Sequence, residues 1–258
     1  MEKFCLITGA SCGIGLEFAK IFAKNGHNLI LVARSKDKLE KLKSALEKKY
    51  SIKAVVHVSD LTSESELDKL YEDVTKYACV DILVNNAGFA NFGAFLDLDY
   101  ERQKALIDLN VTAPVRLAYL FGNDMKKRGS GKIINVASAA AFEAGPYMAT
   151  YYASKSFVLS FSMALAEELK SNGIVVTAVC PGPTSTHFEK NANMSNSVMF
   201  SILKPASPKQ VAKAGYNAVM SGRSVLYHGI ITYACNAASR LLPRNTMLKL
   251  AKKVNKIK

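Results

Sequence analysis

Residues 151 to 155, YYASK, put two phenols and one amine within about one helical turn. A phenol beside an ammonium is a proton donor: a free tyrosine has a pKa near ~10, and a neighbouring positive charge lowers it by about 1–3 units. Tyr151 and Tyr152 stand four and three residues before Lys155, so both can share its helix face, and spacing alone does not choose between them. Ser138 supplies a hydroxyl 13 residues earlier, where a strand ends.

A second constellation lies near the start. TGASCGIG carries Gly9, Gly13 and Gly15 between the apolar run KFCLIT and the periodic segment that opens at Gly13. Glycines there let the backbone turn tightly, and a helix N-terminus offers free N–H groups and a positive dipole end to a pyrophosphate. The second strand ends in Ala33 and then Arg34, 19 residues past Gly15, with Ser35 and Lys38 behind it. An acid at that place would hold the ribose 2′-OH of NAD, whereas a guanidinium suits the 2′-phosphate of NADP. NADP (NADPH) is therefore the expected dinucleotide. Cys12, at the same helix start, is also where an activated thiol could sit, though bound phosphates would cover it.

These groups need a scaffold. Short apolar runs at 3–8, 28–33, 53–58, 80–86, 131–138 and 174–180 alternate with helical patterns at 13–26, 36–50, 63–77, 100–110, 115–127 and 151–170. That alternation predicts an α/β chain folded as a doubly wound parallel sheet, a Rossmann fold, in one domain over residues 1–258. The glycine loop, Arg34, Asn86 and Ser138 all fall at predicted strand ends, the edge where such sheets bind ligands. A capped helix is expected at 207–222 and a last strand at 224–228. The stretch 186–206 is polar, Pro-punctuated and weakly periodic, and reads as a substrate lid.

Composition narrows the classes. The chain has 258 residues, 49% hydrophobic and 21% charged, as expected of a globular domain. The five cysteines have no metal-knuckle or redox spacing and the four histidines are scattered, so no metal site is expected. The start lacks a signal peptide's apolar core, and no segment reaches the ~18 apolar residues that span a bilayer, so a cytoplasmic protein is expected. Net charge is +13, but seven of those charges lie in the acid-free tail 239–258, which argues against nucleic acid as partner. Met247, Leu250, Val254 and Ile257 recur there at helical spacing among lysines. Such a helix either makes weak contact with an anionic membrane surface or docks on the subunit or a partner.

With these residues in view, the chain resembles the short-chain dehydrogenase/reductase family from about residue 3 to 190. TGASCGIG is similar to that family's TGxxxGxG loop, NNAG at 85–88 to its NNAG strand end, and PGPTST at 181–186 to its nicotinamide-facing segment. Ser138, Tyr151 and Lys155 match its Ser and Tyr-x-x-x-Lys arrangement, and Asn110 its catalytic Asn. The resemblance implies an NADP-dependent oxidoreductase moving a hydride between nicotinamide and a carbonyl or secondary alcohol. It selects Tyr151 as the acid/base, with Ser138, Asn110 and Lys155 as partners and Lys155 also on the nicotinamide ribose. It further implies cofactor contacts from Gly9, Ser11, Cys12, Gly13, Ile14, Gly15, Arg34 and Ser35. Asp60 and Leu61 would meet the adenine, Asn86, Ala87 and Gly88 the adenine ribose, and Pro181, Gly182, Thr184 and Thr186 the nicotinamide half. A homodimer or homotetramer would pair through the helices containing 115–125 and 151–170, where Ala153, Ser154, Ser156 and Ser160 permit close approach. A carbonyl or alcohol substrate of fairly apolar character fits Phe89, Phe92, Phe95, Phe142 and Tyr147, with Phe188, Met194, Met199 and Phe200 in the lid. The alternative reading is a dinucleotide-binding sensor or interaction protein without turnover.

Overall fold

A computed structural model describes residues 1–185 and 205–255. Thr186 and the predicted lid up to residue 204 lie outside the described residues, as does Ile257. The strands β1 (Glu2–Thr8), β2 (Asn28–Ala33), β3 (Ala54–Val58), β4 (Ala78–Asn85), β5 (Gly131–Val136), β6 (Ile174–Pro181) and β7 (Val225–His228) form one sheet. Every pairing is parallel, in the order β3-β2-β1-β4-β5-β6-β7.

Helices cover both faces because the strands are apolar on both sides. Along β1, Cys5 and Ile7 join one core while Phe4 and Leu6 join the other, and β2 divides Leu29 and Leu31 from Ile30 and Val32 likewise. The first core meets α1 (Gly13–Lys24) through Phe18 and Phe22, α2 (Lys36–Tyr50) through Leu39, Leu42 and Leu46, and a later helix, Pro208–Met220, through Val211. The second meets α3 (Glu64–Thr75) through Leu67 and Leu70, and α5 (Ala113–Arg128) through Leu117 and Phe121. Burying one such Phe or Leu contributes about 1.5–3 kcal/mol, so the two layers dominate the energy that positions the strand ends.

Chain order reverses beside β1, whose neighbours are β2 and β4. The glycine loop after β1 and the NNAG turn after β4 therefore open on the same crevice.

The boundaries differ from the sequence pattern in informative places. The helix expected at 100–110 stops as α4 (Tyr100–Ile107), and Asp108–Thr112 forms a π turn before α5. Asn110 lies inside that turn, where the helix register is broken. The long helix α6 runs Ala149–Lys170. Within it Ser154 points inward and donates to the Tyr151 carbonyl at 2.7 Å, so it does not belong to an outer face with Ala153, Ser156 and Ser160. The helix Pro208–Met220, α7, begins at the expected cap: Ser207 Oγ accepts from the Gln210 N–H, and Gln210 Oε1 from the Ser207 N–H.

Two further helices follow β7, α8 (Ile230–Leu241) and α9 (Arg244–Val254). In α9 the inward positions are Met247 and Ala251, continued by Asn255, while Leu250 and Val254 stay more than a third exposed. Positions i, i+4 and i+8 form one stripe of a helix, and the docked stripe is offset from the apolar one that the sequence suggested.

Candidate active site

The glycine loop is shaped by contacts that a side chain would destroy. Gly9 and Gly13 have φ of 66° and 57°, the left-handed region where glycine is favoured. A Cβ on Gly9 would come within 2.8 Å of Asn86 Nδ2, and one on Gly15 would strike the Gly9 carbonyl. Thr8, at the end of β1, ties this loop to the neighbouring strand end. Its Oγ1 accepts the N–H groups of Asn86 at 2.9 Å and Ala87 at 3.0 Å and donates to the Val84 carbonyl at 3.2 Å. Asn86 Nδ2 donates back to the Thr8 carbonyl at 2.9 Å. Sequence reasoning passed over Thr8 as part of the loop's motif; its buried hydroxyl fixes the NNAG turn.

The first turn of α1 contains no acid, so its N–H groups and dipole are left for an anion. Arg34 lies beyond the end of β2 with a side chain 76% exposed. Asp60 stands 3.9 Å from it. The sequence placed no carboxylate near Arg34, but β2 and β3 are parallel neighbours with Ala33 opposite Val58, so the residues just beyond each strand meet. Asp60 is itself held by Thr62, whose N–H and hydroxyl donate to Oδ1 at 3.1 and 2.9 Å.

Further along the crevice, Ser138 caps the turn Ala139–Phe142, its Oγ accepting the Ala140 N–H at 3.1 Å. The Ser138 side chain acts on the Tyr151 hydroxyl, favouring its ionised form. Lys155 Nζ lies 5.8 Å from the Tyr151 ring centroid and donates to the Val136 carbonyl at 2.9 Å. Both side chains are buried, Tyr151 at 8% and Lys155 at 6% exposure. Asn110 does not touch Lys155. Its Nδ2 donates to the Phe89 carbonyl at 3.0 Å and Ser154 Oγ at 3.1 Å, and its Oδ1 accepts the Phe89 N–H at 3.1 Å. Gly88 sits between them: a Cβ there would lie 2.8 Å from Asn110 Oδ1 and 3.6 Å from Lys155 Nζ.

Burial, not the ammonium, controls the proton affinities. Desolvation pushes the Tyr151 phenol up to about 12, against a smaller opposing effect of the Ser138 hydrogen bond. The same dry surroundings pull Lys155 down to about 8. The expected lowering of Tyr151 by Lys155 is thus outweighed, because removing a charge from water opposes ionisation of both groups.

Ser138, Tyr151, Lys155, Arg34 and most of the glycine loop open on one groove of about 1170 Å³. Of the catalytic and cofactor-contacting residues expected from the sequence and described here, all but Gly15 and Asn110 line it. Those two lie behind the wall, Gly15 under the loop and Asn110 under Gly88. Phe89 and Phe92 line it as expected, whereas Phe95, Phe142 and Tyr147 do not. Phe142 packs on Tyr227 instead, ring centroids 5.6 Å apart.

A family model described as short chain dehydrogenase matches residues 3–197. The chain belongs to the short-chain dehydrogenase family. A short-chain dehydrogenase from Sphingobium yanoikuyae in complex with NADPH is 32% identical, with TM-score 0.83 over 93% of this chain and 94% of that one. The bulky-bulky ketone specific alcohol dehydrogenase from Comamonas testosteroni is 31% identical, with TM-score 0.79 over 93% and 92% of the two chains. The very-long-chain 3-oxoacyl-CoA reductase of Bos taurus is 33% identical over 195 residues, 74% of this chain but 62% of that protein. The chain is therefore an oxidoreductase with the family's parallel-sheet fold.

This short-chain dehydrogenase also lines its groove with residues beyond the matched stretch. Ile231 and Cys235 from α8 and Val254 from α9 line it together with Glu143, Met148 and Tyr152. Ile231 and Cys235 carried no sequence signal, and Val254 only that of the tail's apolar spacing, since apolar residues on a helix do not reveal which cavity they line. Among the described residues no helix is long and apolar enough to cross a membrane.

Proposed function

We propose that the protein is an NADP(H)-dependent carbonyl reductase acting on fairly apolar ketones or aldehydes, with Tyr151 as general acid. The observation that carries this reading is the Ser138–Tyr151–Lys155 cluster, with Tyr151 and Lys155 buried and Ser138 half-buried, in the same groove as the glycine-rich anion cradle. The cradle fits NADPH: the α1 N-terminus and the side-chain-free faces of Gly9 and Gly13 suit the pyrophosphate, and Arg34 with Ser35 suits the 2′-phosphate. All of Asp60, Leu61, Asn86 to Gly88, Pro181, Gly182 and Thr184 line the groove; Asp60 and Leu61 would meet the adenine, Asn86 to Gly88 its ribose, and Pro181, Gly182 and Thr184 the nicotinamide half.

When bound, the cofactor supplies the hydride that reduces the carbonyl carbon. Ser138 and Tyr151 hold the carbonyl oxygen by their hydroxyls as negative charge develops on it. The Tyr151 proton then moves to that oxygen, giving the alcohol and leaving a phenolate. An alkoxide is a far stronger base than a phenolate, so a phenol near 12 still delivers its proton, and at neutral pH it is fully protonated beforehand. This favours the reductive direction. Lys155, still charged at neutral pH, stabilises the phenolate and can hold the nicotinamide ribose. Asn110 keeps the Phe89 backbone and Ser154 in place beside Lys155, the position from which water could return a proton.

The NADPH-bound relative and the ketone-specific relative support this cofactor and substrate class. NADPH oxidation with a panel of ketones and aldehydes tests it. Tyr151→Phe should lower kcat about 10²–10⁴-fold, the usual contribution of a general acid, while Tyr152→Phe keeps kcat well above that level. Clear NADPH binding without turnover of any substrate would point instead to a dinucleotide sensor. Helix α9 also turns Arg244, Lys249, Lys252 and Lys253 to solvent, which suits weak contact with an anionic membrane surface. Pelleting with anionic liposomes at low salt, lost in a Lys249→Gln, Lys252→Gln, Lys253→Gln variant, tests that contact.

A further inference from the structure

Asn255 follows α9 and is completely buried, although it lies in the most basic part of the chain. Its side chain contacts the Tyr152 hydroxyl at 3.2–3.3 Å, and Nδ2 lies 3.2 Å from the Pro146 carbonyl. These bonds join residues more than 100 positions apart. The Tyr152 ring is pressed against Gly145, where a Cβ would overlap it, and stands edge-on to Tyr151 with centroids 6.2 Å apart. The loop from Glu143 to Met148 that Asn255 grips is itself constrained: Tyr147 has φ of 66°, and its carbonyl accepts the Gly93 N–H at 2.9 Å. A buried amide with both ends bonded holds its partners more firmly than apolar packing, since parting them leaves unsatisfied polar groups.

The consequences for the groove are geometric. Glu143, Met148 and Tyr152 line the groove from the Pro146 loop and α6, and Ile231, Cys235 and Val254 line it from α8 and α9. Asn255 is the hydrogen-bonded link between these two sets of elements. We infer that Asn255 is a positioning residue that bolts α9 onto Tyr152 and the Pro146 loop, and so fixes the width of the chamber that receives the bulky part of the substrate. This rests on the carbonyl-reductase reading for its substrate. The bolt also occupies the second tyrosine of YYASK: the Tyr152 hydroxyl is engaged by Asn255, while Tyr151 is engaged by Ser138.

The test has one readout that needs neither nucleotide nor ketone. Wild type, Tyr152→Phe, Asn255→Ala and the double variant are treated with iodoacetamide, and alkylation of Cys235 is timed by peptide mass spectrometry. Cys5 and Cys180, both in the core, report global opening. Asn255→Ala should accelerate Cys235 labelling on the order of 10-fold, leave Cys5 and Cys180 unchanged, and gain nothing further from Tyr152→Phe. Unchanged Cys235 labelling, or an equal rise at all three cysteines, overturns the inference. In turnover, Asn255→Ala should raise KM for a bulky diaryl ketone by a larger factor than it lowers kcat, with the NADPH dissociation constant within about twofold of wild type. An equal loss for bulky and small ketones would overturn it as well. If wild type reduces no ketone, the proposed function fails, and Cys235 labelling still decides the role of Asn255.

Discussion

Replacing Lys155 by Met should make the protein inactive and more stable at once. Lys155 is buried and its pKa falls from 10.5 to about 8, so keeping it charged at neutral pH costs about 3 kcal/mol at 1.36 per unit. Met fills similar volume without a charge, but removes the hydrogen bond to the Val136 carbonyl, which costs about 1 kcal/mol. The net gain of about 2 kcal/mol corresponds to a rise of about 4–8 °C in Tm for a chain of this size. The sign of the pH dependence follows from the direction of the shift. The folded pKa is the lower one, so the penalty is fully present below about pH 8 and fades as pH rises towards 10.5. At pH 9.5 it has fallen to about 1 kcal/mol, and the advantage of Met should be nearly gone. Calorimetric melts at pH 7 and 9.5 without nucleotide, together with NADPH oxidation, measure both halves. A lower Tm for Lys155→Met at pH 7, or a gain that does not change with pH, would refute the reasoning. In the wild type, the same titration should make kcat/KM for ketone reduction fall as pH rises through about 8.

Arg34→Ala should reduce the preference for NADPH over NADH by about 10-fold, the low end for a charge-assisted contact because the side chain is largely exposed; Asp60→Asn should raise it by freeing Arg34. The kcat/KM ratios for the two cofactors decide, and an Arg34→Ala variant with unchanged preference would remove Arg34 from the site. Gly15→Ala should abolish NADPH binding by fluorescence titration and lower stability by about 1–3 kcal/mol, because the new methyl meets the Gly9 carbonyl. Tight NADPH binding by that variant would contradict the loop's close packing. Tyr119 on α5 and Phe157 on α6 are 64% and 45% exposed on the helices expected to pair. If the protein is a homodimer or homotetramer built on them, Tyr119→Glu with Phe157→Glu should give monomers by sedimentation; an unchanged assembly would place the contact elsewhere.

The parts of this protein that could be read from the chain are those whose physics is local. Continuous apolar runs in β1 and β2 reported burial on both faces of the sheet, and helical periodicity in α1 and α2 reported one buried face on each helix. Gly9 and Gly13 marked a turn because their dihedral angles suit few other residues. The four-residue step from Tyr151 to Lys155 placed both on one helix face. The Ser207–Gln210 cap was legible for the same reason, being closed within three residues. The tail was misread in register because apolar type and burial part company where a helix docks through Met247, Ala251 and a polar Asn255.

What only the tertiary structure decided are matters of neighbours distant in sequence. Parallel pairing of β2 with β3 brought Asp60 to Arg34, which no reading of either strand end could show. Closure of the fold over Tyr151 and Lys155 excluded water, and desolvation reversed the expected direction of the tyrosine's shift. The two tyrosines of YYASK are equivalent to helix geometry alone. They became distinct because Ser138, at the end of a neighbouring strand, acts on one, and Asn255, 103 residues further on, bonds the other. Local rules fix how a residue is displayed, and the packing of remote elements determines what it meets.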